Sequence, residues 1–320
     1  MAWDSHLLMG NLIAFASNEG VRSYFRALGI TDINVRWDFD LAKRCRRLIL
    51  TGTCLGQGPD KIAIEQAAKL GWPSVAVIDH WSWYRKRFEV PRGLLLPDKI
   101  IVNDSIALEE AISDGLPADR LITLGNPVLE HMAHHSSNWR ASTNKLSVRK
   151  KYGVQADHRV IIFISEELHS EFKSGTDDYL GYEEFLVLNL ILKMLKSKDH
   201  LIIKLHPSER DDKYAYINNP RVTVIRHSAK EELASLGNVI IGMASMLLLE
   251  LAMFRNDIIS FRPGATRRFI GERLGATVDA TSIEQLSSVI DNGQTAVSNF
   301  RSRFTGSRER ILRFLEGMAR

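Results

Sequence analysis

Short apolar runs bounded by polar turns alternate along this chain with longer stretches whose apolar residues recur at helical spacing. A strand buried in a parallel sheet reads as a near-continuous apolar run, whereas a helix needs a longer 3.6-residue period. The first half therefore predicts strands at Asn11–Ser17, Ile33–Trp37 (the weakest), Arg47–Thr51, Ser74–Ile78, Lys99–Val102 and Leu121–Leu124. Helices are expected at Val21–Leu28, at Asp60–Leu70 with Gly71 as C-cap, and at Ile106–Asp114 behind the cap Asn103-Asp104-Ser105. The polar segment His134–Asn144 breaks the rhythm and reads as a link, followed by a helix at Leu146–Tyr152. Strands then recur at Arg159–Ile164, Leu201–Leu205, Val222–Ile225, Asn238–Ile241 and Asp257–Phe261. Between them lie helices at Tyr182–Leu195, Ala229–Leu236 and Met246–Phe254, with a last helix over Ala296–Met318. This alternation implies βαβ units and parallel sheets: an α/β chain of two Rossmann-like domains, 1–140 and 141–320.

Ligands of open α/β sheets bind beyond the carboxyl ends of the strands, so the residues at those ends are the candidates for chemistry. The run Leu201–Glu209 (LIIKLHPSE) stops at His206-Pro207, because proline lacks an N–H, and leaves Lys204, His206, Pro207, Ser208 and Glu209 facing a ligand. After Asn238–Ile241 comes Gly242-Met243-Ala244-Ser245 and a helix carrying Glu250. Exposed N–H groups at that helix start, with the Ser245 hydroxyl, suit an anion, and Glu250 suits a ribose diol. The plain alternative is an N-cap serine and a buried helix glutamate. Ser165-Glu166-Glu167 ends another strand; Ser165 is a donor contact, and one glutamate is read as binding a sugar hydroxyl.

In the first half the richest segment is Asp79–Phe88 (DHWSWYRKRF). Asp79 or His80 could deprotonate an acceptor hydroxyl. Trp81, Trp83 and Tyr84 could stack on a sugar, and Arg85, Lys86 and Arg87 could meet an acidic sugar or phosphate. Packed aromatics and a solvated basic run are the plain alternative. The loop Thr51–Gly58 lacks Gly-Lys-Ser/Thr, so Gly52 and Thr53 are read as acceptor-side residues rather than a P-loop. Asp177-Asp178 and Asp211-Asp212 read as solvated pairs. His134-His135 has no partners at metal-ligand spacing, and no metal or cofactor is expected.

Composition adds limits. A chain of 320 residues, 45% hydrophobic and 25% charged, is ordinary for a globular protein of about two domains. A net charge of +4 permits anionic ligands but does not call for nucleic acid. Cys45 and Cys54 form no CxxC pair and read as reduced thiols of a cytoplasmic protein. No apolar run is long enough to span a membrane, and Leu7–Ala16 makes a poor signal peptide. Six arginines between Arg301 and Arg320 form a solvated face or a peripheral contact with an anionic membrane at its inner side.

Two Rossmann-like halves, a linker and a final helix resemble the GT-B glycosyltransferases. Leu124-Gly125-Asn126-Pro127-Val128 resembles the GNP segment that closes their first domain, and Lys204-Leu205-His206-Pro207 resembles the His-Pro motif of bacterial sialyl-, Kdo- and glycerophosphotransferases. Gly242–Glu250 resembles the loop and glutamate that hold phosphate and ribose in these enzymes and in the non-hydrolysing UDP-N-acetylglucosamine 2-epimerases. The resemblance implies a metal-independent transferase with parallel sheets facing an interdomain cleft, closing about a hinge near residues 134–145. The first domain would take a saccharide or lipid-linked acceptor, and the second a CMP-, CDP- or UDP-linked sugar. It places catalysis on Asp79, His80 and His206, in bacterial surface polysaccharide synthesis. Donor residues would be Ser165, Lys204, His206, Pro207, Gly242, Met243, Ala244, Ser245 and Glu250; acceptor residues would be Gly52, Thr53, Trp81, Arg85 and Arg87. The acidic D/E-D/E-G motif is missing, with Asn18-Glu19-Gly20 its nearest counterpart, and the histidine and acidic sets of the epimerases are not recognisable. Transfer of a phosphopolyol from a CDP donor, and nucleotide-sugar binding without catalysis, stay open as alternatives.

Overall fold

The computed structural model describes residues 12–16, 19–31, 33–34, 48–142, 144–172, 179–265, 267–296 and 299–319. Asn18, Cys45, Asp177-Asp178 and the ends of the strands expected at Asn11–Ser17 and Ile33–Trp37 lie outside them. The chain forms two units, one of residues 1–131 with 303–320, the other of residues 132–302.

The first unit holds strands β1 (Leu12–Phe15), β2 (Ile33–Asn34), β3 (Leu48–Thr51), β4 (Ser74–Val77), a hairpin of β5 (Glu89–Val90) and β6 (Gly93–Leu94), then β7 (Lys99–Val102) and β8 (Leu121–Thr123). The parallel sheet runs β2-β1-β3-β4-β7-β8, so its strand order reverses between β1 and β3. The hairpin was not expected from the hydrophobic pattern, since its strands carry two residues each.

The last helix, Ser307–Met318, packs in this first core. Ile311, Leu312 and Leu315 lie with Ala14, Val21, Tyr24 and Leu50, whereas the sequence division assigned that helix to the second half. Glu130 takes the Gly306 and Arg308 N–H groups at 2.5 and 2.8 Å, which neutralises the helix start. Arg310 Nε donates to the Leu124 carbonyl at 3.1 Å. Gly125 sits at φ +97, and a Cβ there would overlap Ser307. Asn126 caps the helix Pro127–Ser142 by accepting from Val128 and Leu129 N–H. The GNP segment thus starts one helix and receives another.

Two helical expectations change. The helix foreseen over Ala296–Met318 is a 3₁₀ turn at Phe300–Ser302 and, after Gly306 at φ +77, the helix from Ser307. The link foreseen at His134–Asn144 is mostly helical, because the helix Pro127–Ser142 runs through it. That stretch is polar, but it contains neither Gly nor Pro to stop a helix. Asn144 then caps Lys145–Lys151.

The second unit holds β9 (Arg159–Ile164), β10 (Asp199–Lys204), β11 (Val222–Ile225), β12 (Val239–Gly242), β13 (Ile258–Phe261) and β14 (Val278–Ala280). They are parallel in the order β11-β10-β9-β12-β13-β14, the 3-2-1-4-5-6 arrangement of a Rossmann sheet. Ile161, Phe163, Val187, Leu201, Ile203, Ile241 and Phe261 fill its core. β14 and the helix Ile283–Asp291 were not foreseen. β10 starts two residues earlier than its apolar run, because Asp199 is buried against Arg159 at 2.8 Å.

Candidate functional site

In a 3-2-1-4-5-6 sheet the crevice opens where the order reverses, here between the carboxyl ends of β9 and β12. Gly242 ends β12 because a Cβ there would press on Leu248 at 2.9 Å and Ile164 at 3.1 Å. The Met243 and Ala244 N–H groups, expected to meet a phosphate, instead donate to Glu166 Oε1 at 3.2 and 2.8 Å. Ser245 is the N-cap of Met246–Ala252, accepting from Leu247 N–H at 3.2 Å. Burial pushes the Glu166 carboxyl up to about 7, against the pull of those N–H groups and with a further push from Glu184.

Around Glu166 lies a buried charge cluster. Lys213 Nζ bonds Glu184 and reaches Glu209 at 2.7 Å and the Glu166 carbonyl at 3.3 Å. Ser165 Oγ donates to Glu209 Oε1 at 2.6 Å and shares a 2.6 Å bond with the Tyr214 hydroxyl. Ser165 is therefore committed to the protein, not turned to a ligand. Sequence reasoning named Glu209 but not its pairing with Lys213, and the turn that joins them has no helical spacing that would have shown it.

One strand over, β10 ends in the His-Pro turn. Glu209 Oε2 accepts the His206 N–H at 2.5 Å, and His206 Nδ1 bonds Ser208 Oγ at 2.6 Å, with the imidazole exposed. Arg226, just past β11, donates to the Pro207 carbonyl at 3.0 Å and also bonds Asp211 and the Glu209 carbonyl. Lys204, Pro207, Arg226, His227, Ser228, Ala229 and Lys151 line a cavity of about 460 Å³. Lys204 is 9% exposed, and its Nζ bonds the Leu205 carbonyl at 2.7 Å. Among the described residues no carboxylate pairs with it, and burial followed by the charge of Arg226 lowers its pKa. Ser228 Oγ is buried there without a hydrogen-bond partner. Glu250 is paired with Lys230 at 2.6 Å on the helix after β12.

In the first unit Gly52 and Thr53 follow β3. A Cβ on Gly52 would overlap Val21, so this glycine admits the close approach of the helix Glu19–Ala27. Glu19 of the Asn18-Glu19-Gly20 segment pairs with Arg26 on that helix at 2.8 Å. Thr53 is buried, donating to the Val77 carbonyl and accepting from Arg87 Nη1, both at 3.3 Å. The rest of the loop is held by Asp60, which takes the Cys54 N–H at 3.2 Å and the Cys54 thiol at 3.0 Å. Burial and Asp60 push that thiol up to about 11, so Cys54 stays protonated at neutral pH.

Asp79 and His80 lie just past β4, both partly buried. Burial lifts the Asp79 carboxyl above its ordinary value, and Arg87 pulls it partly back. Burial, with Arg87 behind it, holds His80 down to about 4, and its Nδ1 bonds Ser82 Oγ at 2.8 Å.

The aromatics expected to stack on a sugar divide. Trp81 is buried, with Nε1 on Asp104 at 3.1 Å and its ring edge-on to Phe304. Tyr84 is buried, with its hydroxyl on Glu110 at 2.9 Å. Arg87, expected on the acceptor, is buried and donates to the Ser82 carbonyl at 3.1 Å; Arg85 is exposed beside Glu89. Trp83 is 47% exposed and sits at φ +59, the one non-glycine residue with positive φ among the described residues. Such a conformation costs of order 1–3 kcal/mol and is kept only where its surroundings dictate it.

The C-terminal arginines are largely engaged: Arg301 on the Ala252 carbonyl, Arg303 near Asp104, Arg310 on Leu124 and Arg313 on Glu309. Among the described residues no helix is long and apolar enough to cross a membrane, and no group of three His, Cys, Asp or Glu side chains could hold a metal.

No protein-family model matches the chain, and no curated protein matches it in sequence. Solved structures do match. The UDP-GlcNAc 2-epimerase of Methanocaldococcus jannaschii superposes with a TM-score of 0.64 at 13% identity, over 96% of this chain and 99% of that one. The UDP-GlcNAc 2-epimerase of Neisseria meningitidis, bound to UDP-GlcNAc, gives 0.63 at 14% identity over the same shares. The wall teichoic acid polymerase TagF gives 0.54 at 12% identity, over 97% of this chain and 89% of that one. At such identities the likeness speaks for the fold: a GT-B architecture of two Rossmann-like units.

Proposed function

We propose that the protein is a glycosyltransferase that takes a nucleotide-linked sugar in its second unit and a hydroxyl acceptor in its first. The observation that carries this reading is the basic cavity at the ends of β10 and β11. There Lys204, nearly buried and in no ion pair among the described residues, lines one space with Arg226, His227 and Ser228. Burial disfavours the charge of Lys204, Glu209 offsets that in part, and an anion entering the cavity would offset more of it. A phosphate of the donor would sit on Lys204 beside His206-Pro207, and Glu250 would leave Lys230 for the ribose. Charge growing on the leaving phosphate would be met by these preorganised groups, and Asp79 would take the acceptor proton.

The backbone of Gly242–Ser245 enters this scheme only if Glu166 gives up its N–H bonds. That makes Lys204 the stronger phosphate candidate. A second reading, epimerisation of a UDP-sugar, draws support from the higher TM-scores of the two epimerases.

The test is a thermal-shift panel of CMP, CDP, UMP, UDP, GDP and dTDP on wild type, Glu250→Ala and Lys204→Gln. A ligand at 100 times its Kd adds about 2.7 kcal/mol of stability. One nucleotide should stabilise wild type and lose most of its effect in both variants. No stabilisation at millimolar nucleotide removes the reading. Turnover of UDP-GlcNAc without an acceptor would select the epimerase instead.

A further inference from the structure

We propose that Trp83 is an exposed stacking platform for a pyranose ring, and that Lys86 beside it favours saccharides carrying an anionic group. The proposal deepens the function above, since it gives the acceptor a chemical class, and it rests on the first unit being the acceptor side.

The other anchors of the His80–Phe88 segment are hydrogen bonds to neighbouring protein groups. His80 bonds Ser82, Trp81 bonds Asp104, and Tyr84 bonds Glu110. The Arg85 N–H goes to Asp114 Oδ2 at 2.8 Å, and Arg87 Nε to the Ser82 carbonyl. Trp83 contributes to this turn only through its carbonyl, which accepts the Arg87 N–H at 3.2 Å. Any residue would supply that carbonyl, and glycine would supply it without strain.

Tryptophan is thus the wrong choice for the fold on two counts. Its backbone lies in the left-handed region, and its large apolar ring stands half in water. Among the described residues the partner of the ring is Lys86, whose Nζ stands over it 4.6 Å from the centroid. The fold itself supplies no reason for the indole. A ligand does: the C–H face of a sugar is weakly positive and stacks on the negative face of an aromatic ring. Lys86 stands over one face of the ring, which leaves the other for the sugar, and its flexible stem lets the ammonium turn toward a carboxylate or phosphate on that sugar. Arg85 is less available, since Glu89 lies 3.6 Å from its Nε.

The experiment is titration of the full chain by calorimetry, without nucleotide, using trigalacturonate, glucose 1-phosphate and maltotriose. The first two separate a carboxylate from a phosphate as the anionic group; the third is the neutral control. Wild type should bind at least one anionic probe more tightly than maltotriose. Trp83→Gly should weaken that binding about tenfold or more, while leaving Tm unchanged or higher because strain is relieved. Trp83→Phe should retain part of the affinity. Lys86→Gln should weaken the anionic probe about threefold and leave maltotriose unaffected. Equal affinity of wild type and Trp83→Gly overturns the proposal, as does a Tm loss of several degrees in Trp83→Gly, which would make the ring structural. Failure of all three probes beside normal nucleotide stabilisation overturns this proposal alone; saccharide binding without any nucleotide effect removes the donor reading and leaves the platform standing.

Discussion

The two units each half-bury a carboxylate just past the end of a parallel strand, and they set different charges around it. After β4, Asp79 lies in a balanced group, with Asp60 as the second acid and Arg87 and Lys61 as the bases. After β9, Glu166 shares its surroundings with Glu184 and Glu209, and Lys213 is the one base among them. Burial raises both carboxyls; Arg87 pulls Asp79 partly back, whereas Glu184 adds to the push on Glu166, which reaches about 7.

The sharpest way to break this contrast is to remove each base. Lys213→Met leaves Glu184 and Glu209 buried and unpaired, with an expected loss of about 3–5 kcal/mol in urea unfolding of the second unit. Arg87→Met removes bonds to Thr53 and the Ser82 carbonyl, and about 1–3 kcal/mol is expected. Equal losses would mean the two clusters are electrostatically alike.

Next comes pH. Glu166 has its folded pKa raised to about 7, so the folded state binds more protons than the unfolded chain between about 4.5 and 7. Its contribution to stability is complete below about 4.5 and is lost as pH rises through 7. Glu166→Gln should accordingly match wild type near pH 4 and exceed it at pH 8, by up to about 3 kcal/mol. His80 has its folded pKa lowered to about 4, so the unfolded chain binds the extra proton. That contribution is present above about 6.5 and is lost as pH falls toward 4. Between about pH 4.5 and 6.5 the two act with opposite sign: His80→Asn should remove a rise of Tm with pH, and Glu166→Gln a fall. Slopes of the same sign would contradict the comparison.

The smallest expected effect is at Ser245. Ser245→Ala should cost about 1 kcal/mol through loss of the cap on Met246–Ala252. A full loss of nucleotide stabilisation with no change in the Tm of the unliganded protein would instead return Ser245 to the phosphate.

Much of the fold could be read from the apolar runs. Arg159–Ile164 and Lys99–Val102 were delimited to the residue, because buried parallel strands are apolar on both faces. Val278–Ala280 was missed, since a short edge strand with Asp279 at its centre has no such run. The candidate site was legible by position more than by partner. Lys204 and His206 were placed at a strand end from the His-Pro break alone. Nothing in Gly242-Met243-Ala244-Ser245 announces that its N–H groups are already occupied, because Glu166 lies 77 residues before Met243. The three aromatics at positions 81, 83 and 84 look alike in one dimension, and only packing separates the two buried rings from the exposed one.

By itself, then, the sequence determined the βαβ rhythm, the parallel sheets and the strand-end residues, because hydrophobic period and turn chemistry are local properties. The tertiary structure alone decided the strand orders that put the second crevice between β9 and β12. It also decided the docking of Ser307–Met318 in the first core, and the pairing of Glu166 with distant N–H groups. Those choices depend on which faces meet in space, and an amphipathic stripe or a carboxylate carries no address for its partner.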